Sequence, residues 1–372
     1  MDDREADAVR RVIRSGWVTQ GPEVEAFERE FAQAVGAAHA VAVSSGTTAL
    51  HCALLAAGVL PGDDVITVSH SFIATASAIR HCGARPVFVD IEDGGFNIDP
   101  AQVDAVITPR TRALLVVHQV GMPADLAALL PIARRHGLAL IEDAACAIGS
   151  ELLWHGEWQR IGRPHGDLAC FSFHPRKVLS TGDGGMVTTS DSRWADRIRR
   201  LRHHGMTVSA HARHTSEAVL IEGYDELGFN YRMTDIQAAI GREQLRRLPG
   251  IVTARRALAS RYHAALAAHP RLTVPAEPAW ARSNWQSYVL QLDHTLEQRA
   301  VMQHLLDHGI ATRPGVMCAH REAAFPPGTW WSASALARSE AAQDHGLIIP
   351  LSPQMTDADQ ARVIDALTSC CR

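Results

Sequence analysis

The chain has 372 residues, of which 47% are hydrophobic and 20% charged, and its formal net charge is -4. A chain of this length can bury a large core, while its charge excludes a strongly basic surface for nucleic acid. No apolar run approaches membrane-spanning length and the acidic N-terminus lacks a signal-like segment, so we expect neither secretion nor membrane insertion. The 7 cysteines have no CxxC spacing, which indicates a cytoplasmic protein without a disulfide framework.

The first half of the chain alternates short apolar runs with segments of helical pattern. We predict strands at residues 40–43, 65–68, 87–89, 113–117 and 138–141, and helices at residues 47–58, 71–81, 100–106 and 126–137. Apolar strands separated by helices are typical of an α/β fold with a mostly parallel sheet covered on both faces. Ligands bind such sheets at the carboxyl ends of the strands. That edge should carry residues 45–48, 69–72, 118–119 and 142–143.

The second half has a different pattern. We predict a strand at 184–189 after a glycine turn, and a long helix that a capping box at 234–237 opens and that runs towards residue 248. The remaining elements are a helix at 254–268, a strand at 286–292, helices at 297–308 and 333–344, a strand at 347–351 and a helix from 356. We therefore expect a large domain over residues 1–249, including an N-terminal helical segment, and a small α/β domain over 250–372.

Among the 36 Lys and Arg residues only one is lysine, Lys177. Arginine can replace lysine as a solvated charge, but its guanidinium stays protonated and cannot serve as an amine nucleophile. Lys177 is therefore the first candidate for covalent chemistry. By itself it could also be a residue left by chance on an exposed loop.

Two further features lie near predicted strand ends. Residues 46–48, Gly-Thr-Thr, follow a strand and open a helix, where backbone N–H groups favour an anion, although such residues also act as simple helix caps. Asp143 ends a strand and could cap a helix or reach a protonated ring nitrogen. A lysine, a carboxylate and an anion cradle together are what pyridoxal phosphate requires.

Five segments closely resemble motifs of the DegT/StrS family of pyridoxal-phosphate-dependent sugar aminotransferases, in order along nearly the whole chain. They are SSGTTAL at 44–50, IEDAA at 141–145, GDLACFSFHPRK at 166–177, TGDGGM at 181–186 and GFNYRMTDIQ at 228–237. The resemblance implies pyridoxal 5'-phosphate as cofactor and the aspartate-aminotransferase-like fold (fold type I), with a seven-stranded type of sheet. It also implies a homodimer with active sites at the subunit interface.

The resemblance assigns roles to matching residues. Lys177 would form the internal aldimine with the cofactor, and Asp143 would pair with its pyridine nitrogen. Phe72 would stack on the ring, although it could equally be a core aromatic. The phosphate would be held by Gly46, Thr47, Thr48, Ser172 and, from the other subunit, Asn230. Ser172 could instead be a buried hydroxyl and Asn230 a turn residue.

Other positions concern the substrate or depart from the family pattern. We expect Arg232, Arg313 and His320 to bind donor or acceptor, because a guanidinium suits a carboxylate or a diphosphate. Cys146, also expected at the cofactor, stands where the family usually has Gln or His, and a thiol is a poor hydrogen-bond donor. Its contact to the phenolic oxygen or the substrate is therefore weakened or replaced. Relatives also typically carry a further stretch ahead of the helix at 6–15.

The function implied by the resemblance is transfer of an amino group from glutamate or glutamine to a keto sugar linked to a nucleotide. A keto-cyclitol or another acceptor without a nucleotide is the alternative, followed by a non-catalytic regulator that binds the cofactor. Such a regulator would tolerate loss of Lys177 or Asp143, and a dehydratase of this family has histidine at the lysine position. No GxGxxG follows the first strand, and His118, His203 and His204 lack metal-ligand spacing, so we expect neither a Rossmann site nor a metal.

Overall fold

The structure is a computed structural model that describes residues 1–208 and 216–371. Its helices are α1 Asp3–Ser15, α2 Pro22–Val35, α3 Gly46–Ala56, α4 Ala74–His81, α5 Leu126–Arg135, α6 Ser192–Leu201, α7 Asp235–Leu266, α8 Gln298–Asp307, α9 Ala337–His345 and α10 Asp357–Cys370. Its strands are β1 His39–Val43, β2 Asp64–Val68, β3 Arg85–Val89, β4 Thr111–Val117, β5 Ala139–Asp143, β6 Glu151–Trp154, β7 Glu157–Arg160, β8 Leu168–Ser172, β9 Gly185–Thr189, β10 Leu272–Thr273, β11 Ala281–Arg282, β12 Tyr288–Leu292, β13 Arg313–Pro314, β14 Trp331–Ser332 and β15 Gly346–Ile349.

The large sheet has the order β1-β9-β8-β5-β4-β2-β3-β14. Strand β9 is antiparallel to both of its neighbours, and the other pairs are parallel. The predicted α/β class with a mostly parallel sheet is therefore confirmed. The two-residue strand β14 extends the sheet at its edge, and the apolar pattern did not predict it because the strand is so short.

The central strands are buried on both faces, which explains why they read as continuous apolar runs. Ile66 and Leu114 pack into the core that α2 and α5 cover. Their neighbours Val65 and Leu115 pack into the opposite core, which α3, α4 and α6 cover. Successive strand residues face opposite sides of a sheet, so each run fills both cores.

The C-terminal part has a separate antiparallel sheet in the order β10-β12-β15-β13. Helix α7 connects it to the large sheet as one continuous element, and the prediction of two helices broken near residue 249 was wrong. Pro249 lies inside this helix, where proline removes a hydrogen bond. Packing outweighs that cost, because Leu245 joins the large core and Tyr262 joins the C-terminal core. The predicted division at residue 249 stays a prediction.

Other differences are local. The segment predicted as a helix at 100–106 forms two 3-10 turns, Pro100–Gln102 and Asp104–Val106, because Pro100 and Asp99 favour a tight turn start. The helix predicted from 333 begins at Ala337. All 7 cysteines are free thiols. None of the described helices has the length and apolar content needed to cross a membrane.

Candidate active site

Strand pairing brings several predicted site residues to one edge of the large sheet. Asp143 ends β5 and lies opposite Cys170 of β8, two residues before Ser172. Strand β9 runs the other way, so Gly185 at its start lies between Ser172 and Val43, the last residue of β1. The carboxyl ends of three parallel strands and the start of one antiparallel strand thus meet at this edge, which is the ligand-binding edge expected for this architecture.

The amino end of α3 faces this edge. Ser45 caps the helix, since its hydroxyl accepts a hydrogen bond from the Thr48 backbone N–H at 3.2 Å and the Thr48 hydroxyl accepts one from the Ser45 N–H at 3.0 Å. The Thr48 hydroxyl is therefore already engaged in capping. The Thr47 hydroxyl has no hydrogen-bond partner within the described part of the chain. Thr47 is consequently the better placed of the two threonines to bind an anion.

Two glycines keep space open beside this helix end. A Cβ added at Gly46 would lie 2.7 Å from the Ser172 Cβ, and one at Gly185 would lie 2.3 Å from the Ser45 carbonyl oxygen. The Ser172 hydroxyl is also without a hydrogen-bond partner among the residues described. Backbone N–H groups at a helix N-terminus together with free hydroxyls bind anions. The cradle therefore fits a phosphate group.

Gly185→Ala should weaken the binding of phosphate and of the cofactor by about tenfold or more. The start of α3 would shift, and the loss of about 1.4 kcal/mol of its contacts with the phosphate corresponds to a tenfold weaker affinity. The reason is steric, because the added Cβ meets backbone atoms of Ser45. Fluorescence titration with pyridoxal 5'-phosphate measures the effect. Gly250→Ala is the control, since nothing lies within 4 Å of an added Cβ there. Equal binding by the Gly185 variant and wild type would contradict the cradle.

Asp143 is a buried carboxylate, 5% exposed, at the end of β5. Its Oδ2 accepts a hydrogen bond from Thr75 Oγ1 at 2.8 Å, and its Oδ1 accepts one from the Ala145 backbone N–H at 3.1 Å. The Thr75 hydroxyl also lies 2.8 Å from Ser71 Oγ. No ion pair reaches Asp143 from any described residue, and a buried charge of this kind is stable only when it is paired. A protonated ring nitrogen would supply the missing partner.

The residue preceding Asp143 is fixed by a buried pair. His118 Nε2 and Glu142 Oε2 are 3.0 Å apart, and both side chains are fully buried. His118 Nδ1 accepts a hydrogen bond from the Ala124 backbone N–H at 3.0 Å, so Nε2 carries the proton and donates to Glu142. His118 is thus a satisfied core residue, as its lack of metal-ligand spacing indicated.

Lys177 lies in the turn after β8, where its backbone N–H donates to the His174 carbonyl at 2.8 Å. Its Nζ donates a hydrogen bond to Cys146 Sγ at 3.0 Å. Cys146 follows Asp143 by three residues, so the amine and the buried carboxylate lie on adjacent loops of the same edge. The family pattern led us to expect Cys146 at the cofactor or substrate. In the structure the Cys146 thiol accepts a hydrogen bond from the Lys177 amine.

Phe72 is 57% exposed, although most other phenylalanines of the chain are buried. Its carbonyl accepts a hydrogen bond from the backbone N–H of Thr75, the residue whose hydroxyl binds Asp143. An exposed aromatic ring so close in the chain to the buried carboxylate fits a stacking partner for a bound ring. Burial in the core, the alternative for Phe72, does not occur in the described structure.

The three predicted substrate residues occupy different surroundings. His320 approaches the edge, since its Nδ1 is 2.6 Å from Ser69 Oγ and its Nε2 is 2.9 Å from Glu340 Oε1. Arg232 contacts His203 Nδ1 and has no carboxylate partner in the described chain. Burial, and secondarily Arg202, lowers its pKa. Arg313 is exposed on β13, and its side chain forms no ion pair or hydrogen bond with a described residue.

Asn230 is exposed, and its side chain has no hydrogen-bond partner within the described ranges. Its neighbour Tyr231 accepts a hydrogen bond through its carbonyl from the Ser44 N–H at 2.8 Å. The Asn230 segment therefore runs beside the residue that precedes the anion cradle. The backbone hydrogen bond between Ser44 and Tyr231 thus links this segment to the cradle, while the Asn230 side-chain amide has no partner among the described residues.

His70 lies on the same loop as Ser69 and is fully buried, and within the described residues neither of its ring nitrogens has a well-formed hydrogen bond. Burial lowers its pKa from 6.5 to about 4. The unfolded chain therefore takes up the proton first as the pH falls, and stability is lost from about pH 6.5 down to about pH 4.

Lowering the pH from 7 to 5 should lower the free energy of unfolding by about 2 kcal/mol through the protonation of His70 in the unfolded chain. In His70→Leu that part of the pH dependence should disappear, as measured by urea unfolding at both pH values. His294, whose side chain is 82% exposed, provides the control variant His294→Leu. An unchanged pH dependence in His70→Leu would contradict the prediction.

Two contributors were not predicted from the sequence. Thr75 binds Asp143 across 68 positions, and Asn284 binds the Cys146 carbonyl across 138 positions. The position of Thr75, three residues after Phe72 on the first turn of α4, is a usable local signal. For Asn284 the sequence holds no such signal, because the contact exists only after the C-terminal part has packed.

Known proteins resemble this chain along nearly its whole length. A family model described as the DegT/DnrJ/EryC1/StrS aminotransferase family matches residues 1–368. The spore coat polysaccharide biosynthesis protein SpsC of Bacillus subtilis (strain 168) is 38% identical over 367 residues, covering 98% of this chain and 93% of SpsC. DesV of S. venezuelae, solved in complex with a ketimine intermediate, has a TM-score of 0.90 and 36% identity, covering 99% of this chain and 94% of DesV. The aminotransferase TlmJ from Streptoalloteichus hindustanus has a TM-score of 0.89 and 34% identity, covering 99% of this chain and 96% of TlmJ.

Proposed function

Since the chain belongs to the DegT/DnrJ/EryC1/StrS aminotransferase family and is a pyridoxal 5'-phosphate-dependent aminotransferase, we propose that it aminates a keto sugar linked to a nucleotide. Glutamate or glutamine is the proposed amino donor. One observation carries the proposal: the single lysine amine, an unpaired buried carboxylate and an open anion cradle lie at one edge of the sheet.

Pyridoxal 5'-phosphate, when bound, supplies an aldehyde that takes up amino groups and a ring that withdraws electrons from the reacting carbon. The Lys177 amine would hold that aldehyde and would serve as the general base that moves the proton at the reacting carbon. Asp143 would hold the proton on the ring nitrogen. Thr47, Ser172 and the amino end of α3 would bind the phosphate, and Phe72 would cover the ring.

Support for a sugar acceptor comes from SpsC, which is described as a spore coat polysaccharide biosynthesis protein. Two guanidinium groups also support the proposed substrates. Arg232 and Arg313 lack carboxylate partners among the described residues, and guanidinium groups bind carboxylates and diphosphates in two-point contacts. The proposed substrates carry these two anions, a carboxylate on the amino donor and a diphosphate on the nucleotide-linked sugar.

We also propose that the active protein is a homodimer that shares its active sites. The segment before Asn230 exposes large apolar side chains, with Val219 93%, Ile221 88% and Leu227 91% exposed. Exposed apolar surface of this kind marks a protein interface. A second copy covering it would take up the exposed Asn230 amide as well. A solution mass near that of a single 40.4 kDa chain would contradict this assembly.

The amination test uses purified protein loaded with pyridoxal 5'-phosphate. Glutamate and glutamine are added first, and loss of the visible band of the lysine-bound cofactor identifies the donor. Keto sugars are then added with and without a nucleotide, together with a keto-cyclitol, and return of the band identifies the acceptor. Return with nucleotide-linked keto sugars alone supports the proposal. Return with the cyclitol alone would replace it.

A further inference from the structure

A short segment of the C-terminal part crosses to the loops that carry Cys146 and Lys177. Asn284 is fully buried, and its Nδ2 donates hydrogen bonds to the carbonyl oxygens of Cys146 and Ile148, both at 2.8 Å. Cys146 Sγ in turn accepts the hydrogen bond from Lys177 Nζ. The segment therefore fixes the backbone of the residue that touches the lysine amine.

Gln286 reaches the loop that carries Lys177. Its Nε2 donates to the carbonyl oxygen of Arg176, the residue before Lys177, at 2.8 Å. Its Oε1 accepts a hydrogen bond from Ser287 Oγ at 3.0 Å, which orients the amide with its NH2 group towards Arg176. Its backbone N–H donates to Asn284 Oδ1 at 2.9 Å. The two amides thus form one connected unit that holds both loops.

Arg255 holds the Asn284–Gln286 segment in place through backbone carbonyl groups. Arg255 is 8% exposed, and its Nη1 donates to the carbonyl oxygens of Trp285, Gln286 and Leu351 at 3.0–3.1 Å. Trp285, between the two amides, has a φ of 51°, a conformation that a tryptophan rarely adopts. A strained backbone persists only where its surroundings hold it, and here Arg255 does so. The segment is therefore a rigid support for the Lys177 loop.

We propose that Gln286 is a positioning residue for Lys177, acting through the Arg176 carbonyl. The turn around Lys177 is exposed at Pro175 and Arg176, and the hydrogen bond from Gln286 ties it to the C-terminal part. Small displacements of a reacting group lower the rate strongly, because the reacting atoms leave their alignment. This inference rests on the role of Lys177 under the proposed function and does not depend on the acceptor.

Gln286→Met tests it, since methionine keeps the length of the side chain and removes the donor. We expect kcat with the amino donor to fall about five- to tenfold, the effect of one hydrogen bond, with KM unchanged. The visible circular dichroism of the bound cofactor should also change, because it reports how the lysine holds the ring. Gln286→His, which can donate to Arg176, should restore part of kcat.

Gln298→Met is the matched control. Gln298 Nε2 donates to the carbonyl oxygens of Gln343 and Gly346 at 2.9 and 2.7 Å, so the variant loses equivalent bonds within the C-terminal part. Its kcat and circular dichroism should equal those of wild type. Equal losses in both variants, a change in KM alone, or an unchanged Gln286→Met would each overturn the proposal. Turnover of the amino donor that persists in Lys177→Ala would instead overturn the role of Lys177.

Discussion

Lys177→Ala is expected to abolish both half-reactions and to lower kcat by more than about 10⁴-fold, since a general base alone contributes about 10²–10⁴-fold. The variant also loses the amine that attaches the cofactor. The side chain is only half-buried, and its one hydrogen bond to a described residue is the one to Cys146, so the fold should persist. Stopped-flow absorbance with donor and acceptor measures each half-reaction separately.

Lys177→Arg is the matched control for charge, because arginine keeps the positive charge and cannot act as an amine nucleophile. It should be as inactive as Lys177→Ala. Since Lys177 is the sole lysine, borohydride reduction of the loaded wild-type protein can label only its peptide or the N-terminal amine. Turnover in either variant, or a label at the N-terminus alone, would refute the assignment.

Asp143→Asn is expected to lower kcat by about 10²–10³-fold, the usual effect of removing one aligned electrostatic group from an active site. The amide has the shape of the carboxylate, its one oxygen can accept the bond from the Ala145 N–H, and its NH2 group can donate to the Thr75 hydroxyl, which turns to accept it. It cannot hold a proton on the ring nitrogen by charge. The expected signature is a lowered kcat with a shifted absorbance maximum of the bound cofactor and little change in unfolding midpoint.

Asp167→Asn is the control for this change. Asp167 precedes β8 at the opposite edge of the sheet, and its Oδ2 accepts a hydrogen bond from the Leu140 backbone N–H at 2.8 Å, as Asp143 does from Ala145. It also pairs with Arg134 at 3.0 Å, so this variant should lose some stability and keep its kcat. A wild-type kcat in Asp143→Asn would show that the ring nitrogen needs no carboxylate partner.

Much of the fold followed from local pattern. The apolar runs at 113–117 and 138–141 predicted strands because both faces of the sheet are buried, and Thr234 opens α7 with the capping box that its sequence indicated. Pro249 misled the prediction, because local propensity at a proline disagrees with packing on both sides of it. Strand β14 was missed because two residues carry no periodicity.

For the site, residue type made Lys177 the first candidate, since no other lysine competes with it, and position in the family motifs assigned the roles of both Lys177 and Asp143. The sequence by itself therefore determined the class of chemistry and the order of its parts. Only the tertiary structure decided that the Lys177 amine contacts Cys146, that Thr75 binds Asp143, and that the Asn284 and Gln286 amides hold both loops. Such contacts join residues tens to hundreds of positions apart, and a hydrogen bond between them forms only after the sheet, α7 and the C-terminal part have packed.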